Sequence, residues 1–382
     1  MREIIAKAFL EIFSQDPLVA FAPGRINLIG EHTDYQEGFV FPAAVAQGIW
    51  VGVQKNGTNT TRIHSVDFQE DFVFDLQSFS PKKGHWANYI MGMVSQFKQA
   101  GYPVTGFDMA FGGNIPVGSG LSSSAALSVG IGTALSGLFD FKIPKKSLAL
   151  YAQKSEQLFE GLNCGIMDPY ASAFGKANHA LLLDCRTNSH QEIPISFGEY
   201  SLLLVNTKVK HKLADSAYNK RRAAVEESVS LLSDAFPGIK TLRDIPESAL
   251  DQVKAILPAE LFPKAKHVIM EDGRVHKAGN CLKTGDLEGF GKLMNASHTS
   301  LSDDYEVSCK ELDFLAEEAW KKPYVLGSRM MGGGFGGCTI NLLKTDSVDD
   351  FKKTISKSYQ DTFQIEPEFI AVSPSAGAHL LD

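Results

Sequence analysis

The sequence predicts an α+β protein built as two domains. Its 382 residues are enough for two domains at roughly 150 residues each, and for a large buried core. Strand-like and helix-like segments are mixed, and the strands come in antiparallel-looking neighbours, which argues against a doubly wound sheet. A polar, proline-containing stretch at 186–198 separates an N-terminal domain, 1–190, from a C-terminal domain, 191–382.

The elements follow in order. Ile4, Ile5, Ala8, Ile12 and Phe13 recur at helical spacing. A short strand-like run, Leu18 to Phe21, precedes Pro23-Gly24, and Phe39 to Gln54 is apolar and β-rich. Arg62 to Phe74 alternates weakly and predicts one further strand. Trp86 to Ala100 reads as a helix with Ile90, Val94 and Phe97 on one face. Phe107, Met109 and Phe111 alternate with Asp108 and Ala110 as a strand. An apolar helix follows from Ala125, and Pro144 suits the first position of the next, which runs to Glu160. Its stripe of Leu148, Ala152, Ser155 and Phe159 brings Glu156 onto the inward-leaning face. A loop from Gly161 then delivers Asp168, and alternation resumes at Ala180 to Asp184. The second half opens with a strand, Ser201 to Asn206, and a long helix over about 211–236 that carries Tyr218. At least three helical segments fill 260–320, and the glycine loop 332–337 feeds a strand in which Cys338, Ile340 and Leu342 alternate.

Composition narrows the function. The net charge is −7 and the pI about 5.8, which disfavours a nucleic-acid-binding surface. Five scattered cysteines form no CxxC pair, so neither a zinc site nor a disulfide framework is expected, and reduced cytoplasmic thiols are the simple reading. Lys7 and Glu11 interrupt any signal-peptide-like run, and the most apolar stretch, Ala125 to Leu138, is too short to span a membrane.

The stretch Pro116 to Leu135, PVGSGLSSSAALSVGIGTAL, carries the strongest chemical signal. Glycines at 118 and 120 allow a sharp turn and close approach to a ligand. The helix start behind them offers unpaired N–H groups beside the positive end of the helix dipole, which suits phosphate. The loop is no Walker A motif, because no lysine ends it, and no dinucleotide fingerprint, because the third glycine is missing. An ordinary tight connection would look similar. Gly130 and Gly132 inside the helix suggest close packing against a neighbour.

Three stretches together resemble one family. GRINLIGEHTDYQ at 24–36 is similar to the galactokinase signature, PVGSGLSSSAAL at 116–127 to the phosphate-binding motif of the GHMP small-molecule kinases, and GSRMMGGGFGGCTINL at 327–342 to that superfamily's third motif. The resemblance implies two α+β domains with the active site in the cleft between them. It implies transfer of phosphate from ATP, with Mg²⁺, to the C1 hydroxyl of α-D-galactose, in a cytoplasmic and monomeric enzyme. By position it implies Arg25 and Asp168 as the catalytic pair. Glu31, His32, Thr33, Asp34, Gly165, Asp168 and Tyr218 would meet the sugar. Gly118, Ser119, Gly120, Leu121, Ser122, Ser123 and Ser124 would form the ATP loop, and Ser124 and Glu156 the magnesium site. Two positions depart from the family: Ser128 and Pro169 stand where many relatives have glutamate and glutamine.

These residue types suit the chemistry. Phosphoryl transfer needs charge neutralisation, alignment and a hydroxyl nucleophile. One hydroxyl and one carboxylate suffice for Mg²⁺, which keeps several waters. Asp168 could accept the proton of an attacking hydroxyl, and Arg25 could stabilise charge on the transferring group. A structural ion pair and a solvated helix glutamate at 156 are the plain alternatives. Two further functions stay open: a kinase for N-acetylgalactosamine or a related sugar, and a non-catalytic galactose sensor. The intact Ser122 to Ala126 run and the presence of Asp168 favour the enzyme.

Overall fold

The computed structural model describes residues 1–116, 118–210 and 214–381. In the first half the order is α1 (Arg2–Phe13), β1 (Leu18–Asn27), β2 (Phe39–Val40), β3 (Pro42–Lys55), β4 (Thr60–Ser65), β5 (Glu70–Asp75) and α2 (Ala87–Gln99). Then come β6 (Phe107–Gly113), α3 (Ser123–Leu138), α4 (Lys145–Phe159), α5 (Met167–Phe174), β7 (His179–Asp184) and β8 (Ser189–Pro194). The second half opens with β9 (Tyr200–Lys210), α6 (Ala214–Leu232), α7 (Leu250–Ile256), α8 (Phe262–Thr284) and α9 (Leu287–Thr299). It closes with α10 (Lys310–Trp320), β10 (Val325–Met330), β11 (Gly336–Lys344), α11 (Val348–Phe363), β12 (Glu368–Ala371) and β13 (His379–Leu381).

The α+β expectation holds. The largest sheet runs β13-β1-β3-β6-β4-β5, with β4 and β6 its one parallel pair. The second sheet, β10-β11-β9-β12, is wholly antiparallel, and β2-β7-β8 forms a third. The chain's last strand returns to pair with its first, Val19 opposite Leu381.

Several sequence expectations shift locally. Arg62 to Phe74 is a hairpin of two strands, turned at a left-handed Gln69 (φ 51°) with no glycine or proline to announce it. On α1 the buried residues are Ile5 and Phe9, while Ile4 and Ile12 face outward. Pro144 caps α4 from outside, with an extended ψ of 141°. Asp168 belongs to the first turn of α5 and not to the preceding loop. Pro169 is then the third residue of that helix, where its missing N–H would have no intrahelical partner. The polar stretch 186–198 contains β8, paired along its length with β7. The start of the long helix at 211–213 lies outside the described residues; α6 is described from Ala214.

The glycines of α3 pack as their positions suggest. A Cβ on Gly130 would sit 3.1 Å from Val51, and one on Gly132 would sit 2.8 Å from Met93. One apolar core joins α2, α3 and α4 to the large sheet through Val51, Met93, Phe97, Val129 and Leu148. A second core is shared by both halves: Ile26, Leu28 and Phe41 pack with Leu204, Val275, Phe290 and Ile340. Burying such side chains stabilises each by about 1.5–3 kcal/mol, so this shared core ties the halves together.

Candidate active site

A cavity of about 340 Å³ lies where the two glycine loops, the turn after β1, and the start of α5 meet. Arg25, Glu31, His32, Asp34, Gly118, Gly120, Ser124, Glu156, Gly165, Asp168 and Tyr218 all line it, together with Gly332 to Gly337. Stretches as far apart as His32 and Gly333, 301 positions apart in the chain, therefore converge.

Arg25 is aimed by a bulge. The pairing of β1 with β3 slips between Pro23 and Arg25, which bends the strand and redirects its side chains. Gly24 lets the phosphate loop close in: a Cβ there would lie 2.5 Å from the carbonyl of Leu121. Arg25 N–H bonds that same carbonyl at 3.0 Å. The buried guanidinium makes a bidentate pair with Asp168, Nε to Oδ1 at 2.8 Å and Nη2 to Oδ2 at 2.9 Å. Its Nη1 donates to the Gly120 carbonyl at 2.5 Å. The Ser122 hydroxyl donates to Asp168 Oδ2 as well. This bond comes from a left-handed Ser122 (φ 58°) just before α3.

The sugar-signature turn brings three polar groups forward. Glu31 is buried; its Oε1 accepts from Gly332 N at 2.8 Å and stands in an ion pair with Arg329, 3.2 Å from Nη2. His32 sits at φ 63° between two partners. Its Nε2 faces the Gly333 carbonyl at 3.2 Å, and a carbonyl can only accept, so Nε2 carries the proton. Burial, with His267, Arg221 and Arg329 nearby, lowers its pKa to about 3, so the ring is neutral. Nδ1 therefore accepts from the Tyr35 hydroxyl at 2.8 Å, and Tyr35 accepts from Tyr305 at 2.7 Å. Asp34 Oδ1 accepts from Tyr35 N at 2.9 Å. Burial first, then Asp168, pushes its pKa up to about 6. Gly165 makes room for that carboxylate, since a Cβ there would lie 1.8 Å from Asp34 Oδ2. Burial, then Asp34, raises the Tyr218 hydroxyl well above its ordinary value.

Ser124 of α3 and Glu156 of α4 stand on the same cavity wall, and the serine hydroxyl favours the ionised glutamate. Burial, then Asp168, pushes Glu156 up to about 7, and the Cys164 thiol donates to it at 3.7 Å. Both groups are hard oxygen donors on the cavity wall, and a divalent cation there would compensate the buried carboxylate.

Other expected residues do not line the cavity. Thr33 turns its hydroxyl onto the carbonyls of Gly30 and Phe39, at 3.1 and 2.7 Å, and braces the turn. Leu121 is core, Ser119 is buried, and Ser123 opens α3. Ser122 acts through Asp168, as above. Sequence reasoning missed Arg329, Tyr35 and Tyr305, and it left the role of Gly332 and Gly333 open. Arg329 was visible inside the third motif, but an arginine in an alternating strand reads as exposed, and this one is fully buried.

Comparisons with known proteins bear on the fold and the family. The models of the GHMP kinase N-terminal domain and C-terminal region match residues 88–176 and 280–361. A mevalonate kinase from Methanococcus jannaschii shares the fold, with a TM-score of 0.68 at 17% identity, covering 94% of this chain and 98% of that one. Fold and cavity thus define a GHMP-type small-molecule kinase. The galactokinase galactose-binding signature matches residues 7–55. A galactokinase from Clostridium beijerinckii is 41% identical over 380 residues, 98% of this chain and 97% of its own. The crystal structure of Lactococcus lactis galactokinase complexed with galactose superposes with a TM-score of 0.95 at 36% identity, covering 98% of each chain. The chain belongs to the galactokinase family.

Proposed function

We propose that the protein transfers the γ-phosphoryl group of ATP to the C1 hydroxyl of α-D-galactose, giving α-D-galactose 1-phosphate and ADP. One observation carries the reading: the Asp168–Arg25 pair stands in one cavity with the phosphate-type loop and the sugar-signature turn. The new bond joins the C1 oxygen to phosphorus, the bond from phosphorus to the bridging oxygen of ADP breaks, and the hydroxyl proton leaves toward Asp168. Bidentate pairing to Arg25 and the bond from Ser122 fix the carboxylate's plane, so it is aligned before substrate arrives. Arg25 has five N–H donors, more than its bonds to Asp168 and Gly120 use, and the rest can face the transferring group. Gly118 and Gly120, with the start of α3, cradle the polyphosphate.

Glu31, His32, Asp34 and Tyr218 hold the sugar. With His32 neutral and its Nε2–H on Gly333, the carboxylates of Glu31 and Asp34 supply the strong acceptors. Ser124 and Glu156 would hold Mg²⁺, which neutralises polyphosphate charge when bound. Five free thiols support a cytoplasmic setting, and no helix among the described residues is long and apolar enough to cross a membrane. We take the working unit to be a monomer of two domains that meet at the cleft.

The deciding experiment offers a panel of monosaccharides with ATP and Mg²⁺ and measures ADP release. Galactose should give the highest kcat/KM, with glucose and N-acetylgalactosamine far behind. Galactose binding without ADP release from any sugar would refute the catalytic reading.

A further inference from the structure

The turn that carries Glu31, His32 and Asp34 is gripped from behind by a helix of the other half of the chain. His267 and Glu271 are four residues apart on α8, so they leave the same face of that helix. His267 Nε2 lies 3.1 Å from the carbonyl oxygen of Glu31. Glu271 Oε1 lies 3.0 Å from the backbone N of Gly30. These two bonds hold both ends of the Gly30–Glu31 dipeptide. Neither side chain lines the cavity, and both are fully buried.

Each grip is itself held. A carbonyl can only accept, so His267 carries its proton on Nε2. Its Nδ1 then accepts from the Ser300 hydroxyl at 2.9 Å. Burial lowers the imidazole's pKa to about 4, in keeping with this neutral form. Glu271 accepts from Ser297 Oγ at 2.5 Å and from Arg274 Nε at 2.5 Å. The dipeptide has no slack of its own. Gly30 sits at φ 98°, and a Cβ there would lie 2.8 Å from both the Phe39 carbonyl and Val275. From this backbone position the Glu31 carboxylate reaches Gly332 N and Arg329.

We propose that His267 and Glu271 are positioning residues for galactose phosphorylation: by fixing the Gly30–Glu31 dipeptide from α8, they set where the Glu31 carboxylate meets the sugar. The proposal rests on the reading of this cavity as a galactose site. It explains why buried polar groups occupy the face of α8 that meets the turn, where apolar packing alone would leave the Gly30 N–H and Glu31 carbonyl unpaired.

The test compares His267→Phe, which keeps a planar ring and removes the donor, with His267→Gln, which offers an amide N–H at similar reach. Galactose Kd is measured by calorimetry, and KM is measured for both substrates. Val253→Ala, in the apolar core around α7, serves as a control for general loss of stability. An unpaired buried carbonyl predicts that His267→Phe weakens galactose binding about tenfold and leaves the KM for ATP within about twofold. His267→Gln should return galactose binding to within about threefold of wild type, since the donor is restored. Unchanged galactose affinity in His267→Phe overturns the proposal. So does equal weakening of both substrates, matched by Val253→Ala. If His267→Phe does not fold, Ser300→Ala replaces it, since it frees the tautomer, and the same selective weakening of galactose must appear. Wild-type protein that fails to bind galactose would instead overturn the function itself.

Discussion

At the scale of single residues, charge and shape can be separated. Asp168→Asn keeps the side chain's outline and removes its charge, leaving Arg25 with a weaker partner. We expect kcat to fall on the order of 10²-fold or more, as for losing a positioned proton acceptor, with galactose Kd little changed. Steady-state kinetics beside calorimetry checks this, and an unchanged kcat would make Asp168 a structural partner only. Glu156→Ala should lower turnover and raise the Mg²⁺ concentration needed for half-maximal rate, because it removes one of the two oxygen groups proposed to hold the ion. A Mg²⁺ titration of both proteins reads this out; overlapping curves would remove Glu156 from the metal site.

Asp34 gives a pH prediction with a definite sign. Its folded pKa lies near 6, above the ordinary carboxylate value of 3.8. Folding therefore favours its protonated form, and the stability this contributes at low pH is lost as pH rises through about 6. A sugar hydroxyl donating to the carboxylate favours the ionised form instead. Galactose binding should then release protons near pH 6 and weaken below it, whereas Asp34→Asn should release none from this site. Calorimetry in two buffers of different ionisation enthalpy measures the release. Equal proton release by wild type and Asp34→Asn would move the effect to another group. The identity of Asp34 was legible in the sequence through its motif. Its shifted pKa was not, because that depends on burial first, and then on Asp168 arriving from α5.

At the scale of elements, the approach of the segment before α5 to the turn after β1 depends on one missing methyl group. Gly165 does not need a left-handed backbone, so its role is steric: a Cβ would overlap Asp34 Oδ2 at 1.8 Å. Gly165→Ala should therefore displace the carboxylate and raise the galactose KM about tenfold or more, in line with unpairing a buried acceptor. The KM for ATP should hold. A crystal structure of the variant with Asp34 unmoved would contradict this. Periodicity revealed most elements: α2 buries Ile90, Val94 and Phe97 at helical spacing, and β6 alternates Phe107, Met109 and Phe111 with Asp108 and Ala110. It failed where a turn lacked punctuating residues, as at Gln69 between β4 and β5. It also failed where a bond relies on an unusual backbone angle. The left-handed Ser122 turns its hydroxyl onto Asp168, a residue 46 positions away, and nothing local to SSS announces that. Arg329 was hidden for a related reason: its partners, Glu31 and the carbonyl of Asn27, come from the opposite end of the chain.

At the scale of the whole molecule, the site and one of the cores are both shared. Asp34 and Arg25 come from the first half, and Tyr218 and Gly333 from the second. Behind them the core of Ile26, Phe41, Val275 and Ile340 crosses between the halves, and β13 closes the first sheet with the chain's last residues. A ligand held by both halves, over a core held by both, stabilises them together. Galactose at 100 times its Kd should stabilise the native state by about 2.7 kcal/mol. Spread over the unfolding entropy of a chain this long, that is a rise in Tm of roughly 3 °C. Scanning calorimetry should show a single transition that moves as one when galactose is added, and Asp34→Ala should abolish most of the shift. Two transitions, with only one moved by the sugar, would mean that the shared core does not couple the halves, and that galactose is gripped by one of them alone.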